Sequence, residues 1–140
     1  FSKEYYKKFI QNKNIALVFE ETYGLLEQAK FALVTSGTAT LETALFKVPQ
    51  VVCYKTNWLT YIIAKTLIKI DYLSLVNILM DKLVVTELIQ SALNKENLKY
   101  ELNNLMHKKE SIINNYDRLI ELLDKEGASK KTAQFIIEAI

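Results

Sequence analysis

Two strand-turn-helix units follow one another between residues 31 and 70, and that succession most narrows the architectures open to this chain. Residues 31–35 form a short apolar run that ends at Ser36-Gly37, and residues 38–46 carry apolar side chains at helical spacing. Past Lys47 and Pro49, residues 50–54 read as a second buried strand. The polar turn Lys55-Thr56-Asn57 then opens an apolar helix over residues 58–70. Strands that alternate with helices pair in parallel and need helical cover on both faces. The expected fold is therefore α/β, a Rossmann-like parallel sheet flanked by helices. Ligands of such sheets gather at the carboxyl ends of the strands, where Ser36 and Lys55 both fall.

The first of these turns has the composition of an anion site. In Ser36-Gly37-Thr38-Ala39-Thr40-Leu41-Glu42, small hydroxyl residues and a glycine stand at the start of a helix, where backbone N–H groups lack intrahelical partners. Those groups and the positive end of the helix dipole favour a phosphate, and Gly37 puts no Cβ in its path. Glu42 lies four residues after Thr38, on the same helical face one turn deeper, where a carboxylate can accept hydrogen bonds from a ribose. An ordinary helix cap, with Ser36 or Thr38 as the N-cap, uses the same residue types and stays open at this point.

The remaining chain reads as a helix over 3–11, a strand over 15–19 and a helix over 22–29 with Thr22 as its N-cap. Asn77 sits in the apolar run Leu75-Val76-Asn77-Ile78-Leu79 after a short strand. A buried amide needs partners, since leaving it unpaired costs about 1–3 kcal/mol, and either backbone turn-capping or a ligand contact would supply them. Beyond it the pattern is helical throughout, over 84–91, 96–108, 111–125 and 129–140. Leu98, Leu102, Leu105, Leu119, Leu122 and Leu123 are core candidates, Gly127 a C-cap and Ser129 a helix start. Residues 1–140 thus read as one domain, with 84–140 all-helical within it.

Composition excludes several classes of function. Half of the 140 residues are hydrophobic, enough to enclose one core, and three glycines and one proline leave no flexible linker. With net charge +2 and the cations spread along helices, nucleic acid is not an expected partner. Arg118 is the only arginine, so phosphate contacts must come from backbone N–H groups, hydroxyls or lysine. One cysteine and one histidine rule out a zinc site, and no calcium-loop pattern is present. Cys53 reads as a buried structural thiol in a reducing cytoplasm, and His107 as a solvated helix residue. The helix over 58–70 is shorter than the about 20 apolar residues a membrane span requires. Its alternatives are burial on the sheet or contact with a membrane surface through Trp58 and Tyr61.

Taken in order, Ser36-Gly-Thr-Ala-Thr-Leu-Glu-Thr-Ala-Leu45, Val48-Pro-Gln-Val-Val-Cys-Tyr54, Leu59-Thr-Tyr61, Ile63-Ala-Lys65 and Tyr72-Leu-Ser-Leu-Val-Asn77 resemble the donor half of lipid-A-disaccharide synthase. The resemblance runs over nearly the whole chain, including the Glu126-Gly-Ala-Ser129 turn. It implies the C-terminal half of a GT-B glycosyltransferase of lipid A biosynthesis, which joins the glucosamine of UDP-2,3-diacylglucosamine to 2,3-diacylglucosamine 1-phosphate and releases UDP. It further implies that the acceptor half, the catalytic carboxylate and an arginine serving the donor diphosphate lie in preceding sequence. The segment alone is then expected to be inactive. The donor-contact candidates are Ser36, Gly37, Thr38, Thr40, Glu42, Tyr54, Lys55 and Asn77, the last matching a functional asparagine of the family. No catalytic residue, metal or cofactor is expected in this segment. Expected partners are the UDP-sugar donor, the lipid acceptor and the N-terminal half of the enzyme, with a homodimer and peripheral contact with the inner membrane face as further options. The chain departs from the family at Val76, often proline, at Lys55, often arginine, and at Leu83, often glutamate. A non-catalytic interaction domain of the same fold, or another UDP-sugar enzyme, is the alternative.

Overall fold

The computed structural model describes residues 2–10, 12, 14–58, 61, 71–124 and 128–138. Its centre is a three-stranded sheet of β1 (Ala32–Thr35), β2 (Gln50–Tyr54) and β3 (Thr86–Ile89), parallel throughout and ordered β1-β2-β3. Val34 pairs with Val52, and Cys53 with Leu88, so the three strands end at one common edge. The expected α/β fold with a parallel sheet is what the chain forms.

Helix α3 (Thr38–Leu45) connects β1 to β2. Thr40, Thr43 and Ala44 are buried on its sheet side. It ends in a Schellman arrangement: Lys47 N–H donates to the Ala44 carbonyl at 2.9 Å and Val48 N–H to the Thr43 carbonyl at 3.1 Å. Lys47 holds the left-handed backbone (φ 56°) that glycine usually supplies, and Pro49 then prevents the helix from continuing. Helix α4 (Leu75–Met80) stops the same way, with Asp81 at φ 48° and Lys82 N–H donating to the Asn77 carbonyl.

Helix α5 (Lys95–Leu123) starts at Asn94, whose side chain accepts from Asn97 N–H at 2.9 Å. It buries Leu105, Ile112, Tyr116 and Leu119, a stripe at steps of three, four and seven residues. These pack with Ala44, Val51, Val52, Val76, Val84, Val85 and Leu88 into one core between sheet and helix. Inside it, Gln50 Nε2 donates to the Thr40 carbonyl at 2.9 Å and to the Tyr116 hydroxyl at 3.2 Å. Helices α1 (Lys3–Lys7), α2 (Thr22–Gln28) and α6 (Ala128–Glu138) complete the described elements, with a 3-10 turn at Gln90–Ala92.

Several sequence expectations are corrected. The helix expected over 84–91 is strand β3 and its exit: Val84, Val85, Thr86 and Ile89 suit a pleated surface, and pairing with β2 overrides a short helical pattern. Residues 84–140 are therefore not all-helical. The two helices expected over 96–108 and 111–125 are one, because no glycine or proline interrupts them. The short strand expected before Asn77 is absent, and Asn77 lies within α4, with Ser74 as N-cap. Residues 15–19 form no strand, since no neighbouring strand pairs with them among the described residues, and Ile15, Val18 and Phe19 stay exposed. The α2 N-cap is Glu21 and not Thr22. Cys53 is only half-buried, because cover over β2 thins toward its carboxyl end, though burial still raises its thiol pKa. Most of the helix expected over 58–70 and the Gly127 cap lie outside the described residues.

Burial pushes the Tyr116 hydroxyl well above the usual phenol range, so the fold favours the neutral phenol. That contribution to stability is intact below the unfolded phenol pKa of about 10 and is lost as pH rises through the folded value. Tyr116→Phe should therefore lose stability less steeply above about pH 10 than the parent chain. Denaturant melts at a series of alkaline pH values test this, and equal slopes contradict it.

Candidate functional site

The carboxyl edge of the sheet is built from the exits of its three strands. At the end of β1, Ser36 N–H donates to the Cys53 carbonyl at 3.2 Å, which ties the turn to β2. Gly37 follows with φ 149° and ψ −164°, a backbone region open essentially to glycine alone. A Cβ added there would meet nothing within 4 Å, so the requirement is conformational and the space in front of the turn is open. Gly37 is the N-cap of α3 and no side chain caps the helix, so the ordinary-cap reading of Ser36 or Thr38 does not hold. Thr38 and Ala39 are exposed, and as the first two helical residues their N–H groups have no intrahelical acceptor. A helix start in this state offers donors and a positive dipole end to an anion.

Ser36, Gly37, Thr38, Tyr54 and Lys55 come together at this edge, as the last or next residues of neighbouring strands. Glu42, partly exposed, lines an open groove of about 430 Å³ with Glu20, Glu21, Thr22, Tyr23 and Gly24. This groove lies between α2 and α3, and its three carboxylates suit hydroxyl donors better than anions. Tyr23 stacks on Phe46 at 5.4 Å beside it.

Two candidates do not reach the cleft. Thr40 is fully buried, and its hydroxyl donates back to the Gly37 carbonyl at 2.8 Å, where it steadies the turn. Asn77 is also fully buried. Its Nδ2 donates to the Val85 carbonyl and to Glu87 Oε1, both at 2.8 Å, and its Oδ1 accepts from Val84 N–H at 2.8 Å and Val85 N–H at 2.9 Å. Two donors and two acceptors are all a side-chain amide has, so none is left for a ligand. Of the two readings of Asn77, backbone capping is the one the geometry fits.

Sequence reasoning missed Glu87 and Gln90. Glu87 on β3 accepts from the N–H groups of Leu73 and Ser74 ahead of α4. Gln90, just past β3, has left-handed backbone (φ 51°) and accepts from Thr56 N–H at 3.1 Å, joining the β3 exit to the turn after β2. A signal for Glu87 was present: a carboxylate inside Val84-Val85-Thr86-Glu87-Leu88-Ile89 needs partners by the same argument as Asn77. Among the described residues, no group of three His, Cys, Asp or Glu is placed to hold a metal ion, and no helix is long and apolar enough to cross a membrane.

A parallel sheet with an uncapped helix start at its ligand edge makes this a Rossmann-like α/β domain with an anion-ready turn. Residues 2–140 match the family model described as Lipid-A-disaccharide synthetase. The chain is 41% identical over 117 residues to the lipid-A-disaccharide synthase of Psychromonas ingrahamii, covering 83% of this chain and 30% of that protein. It is 36% identical over 129 residues to that of Syntrophus aciditrophicus, covering 90% and 34%. With the enzyme of Acinetobacter baylyi the identity is 48% over 83 residues, 59% of this chain and 21% of the relative. The chain belongs to the lipid-A-disaccharide synthetase family, and it spans about a third or less of the length of these relatives.

The Asn77 geometry makes a specific demand on stability. Asn77→Ala strands two N–H groups, one carbonyl and one carboxylate contact at once, and each buried unsatisfied group costs about 1–3 kcal/mol. A loss of at least about 2 kcal/mol in a denaturant melt is expected. An unchanged midpoint would return Asn77 to the ligand side.

Proposed function

We propose that this chain forms the donor side of a lipid-A-disaccharide synthase and holds UDP-2,3-diacylglucosamine with its diphosphate at the start of α3. The observation that carries this reading is the uncapped turn at Gly37, open in front and set at the carboxyl edge of a parallel sheet. In it, the N–H groups of Thr38 and Ala39, the Thr38 hydroxyl and the Lys55 ammonium face the phosphates, and Glu42 accepts from the ribose hydroxyls. Tyr54, the last residue of β2, adjoins Lys55 at the same edge. Membership of the family supports the choice of substrate.

In the transfer, the glucosamine carbon loses its bond to UDP as the acceptor hydroxyl attacks. Negative charge grows on the departing diphosphate, and fixed backbone dipoles at the helix start stabilise it without reorganising. This segment binds the donor and eases departure of UDP. The base and the acceptor site belong to the rest of the enzyme. The 71% exposure of Trp58 after the β2 turn supports contact with the membrane face that holds the acylated substrates.

Calorimetric titration with UDP, paired with thermal melts, tests the placement. Glu42→Ala should weaken UDP by about 1–3 kcal/mol, the worth of a charge-assisted hydrogen bond, and leave the melt unchanged. Unchanged affinity with a lowered melt would make Glu42 structural and remove the ribose from this position. The chain by itself should not turn over both acylated substrates, because orientation of donor, acceptor and base together accounts for about 7–11 kcal/mol of barrier. Measurable turnover by the purified chain contradicts that division of labour.

A further inference from the structure

Glu87 makes a set of contacts out of proportion to a surface carboxylate. Its Oε1 accepts from Ser74 N–H and Asn77 Nδ2, each at 2.8 Å. Leu73 N–H lies between its two oxygens, 2.9 Å from Oε2 and 3.1 Å from Oε1. Three donors from one short segment thus converge on a single acceptor-only group. The held segment leads back to the anion turn: the Leu73 carbonyl accepts from the Ser36 hydroxyl at 3.4 Å. A chain of hydrogen bonds therefore runs from the middle of β3 to the end of β1, and Gly37 is the next residue after its end.

The Ser36 hydroxyl has one proton to give; donation to the Leu73 carbonyl fixes where its oxygen sits, and a rotation about the C–O bond turns the proton to a phosphate oxygen without moving Oγ. At 3.4 Å the bond is long, and a charged phosphate oxygen is the stronger acceptor. The hydroxyl is thus placed yet loosely held. We infer that Glu87 is a positioning residue of the donor site: it fixes Leu73 and Ser74 against the Ser36-Gly37 turn and so sets the Ser36 hydroxyl for the donor diphosphate. This inference rests on the nucleotide-donor reading.

A double-mutant cycle on UDP affinity separates the two. Glu87→Gln replaces one acceptor oxygen with an N–H group among three donors, so the segment must shift. UDP should bind about tenfold more weakly to Glu87→Gln and to Ser36→Ala, since about 1.4 kcal/mol corresponds to tenfold. The double variant should bind no more than about twofold more weakly than either, because both changes cut one chain. Leu88→Ala, which truncates the buried neighbour of Glu87, should lower the melting temperature and leave UDP affinity unchanged. Wild-type affinity in Glu87→Gln, or additive losses near a hundredfold, overturns the inference and leaves the donor reading standing. No UDP binding by the unsubstituted chain overturns both. Amide exchange needs no variant to fold: Leu73 and Ser74 N–H should exchange slowly without UDP, and fast exchange there shows the segment is not held.

Discussion

One buried amide, Asn77, ties α4 to the entry of β3, and the segment that reaches the Ser36-Gly37 turn hangs from that joint. All four of its hydrogen-bonding positions are spent within the protein, on the backbone of Val84 and Val85 and on Glu87. These bonds fix α4 against the entry of β3, and through Glu87 they fix the segment ahead of α4 as well. Such a network in a low-dielectric interior specifies one arrangement, because every misplacement leaves a polar group unpaired. The apolar core around it, from Ala44 to Leu119, supplies the burial but is far less particular about geometry.

Parallel pairing then does the rest. Because the three strands run the same way and end together, turns far apart in sequence meet at one edge: Ser36-Gly37, Tyr54-Lys55 and Gln90. Hydrogen bonds across that edge, from Ser36 to the Cys53 and Leu73 carbonyls and from Thr56 to Gln90, hold the turns in register. Glycine at position 37 completes the arrangement, since its backbone angles are strained for any other residue. A helix start that presents uncapped backbone donors is suited to an anion.

Where the sequence was readable, the signal was local. β2 occupies the residues expected of it, and β1 and α3 differ by one residue at an end, because Ser36-Gly37 and Val48-Pro49 punctuate them. β3 has a helical pattern in sequence because its eight-residue neighbourhood is too short for periodicity to separate the two states, and its partner β2 lies over thirty residues earlier. Part of the candidate site's geometry was legible in the same way. The open turn at Gly37 and the partly exposed Glu42 followed from residue type and spacing. The burial of Thr40 and Asn77 did not, since whether a polar residue faces a cleft or the core depends on what packs over it. Asn77 and Glu87 are ten residues apart and satisfy each other, a pairing that only the α4 to β3 connection creates.

Backbone amide resonances on addition of ligand report whether the diphosphate of the donor sits at the start of α3. With the chain labelled with nitrogen-15, UDP should shift the Gly37, Thr38 and Ala39 amides, and uridine, which lacks the phosphates, should leave these three nearly unmoved. If UDP and uridine shift the same amides equally, or if UDP leaves those of Gly37, Thr38 and Ala39 in place, the start of α3 does not hold the diphosphate.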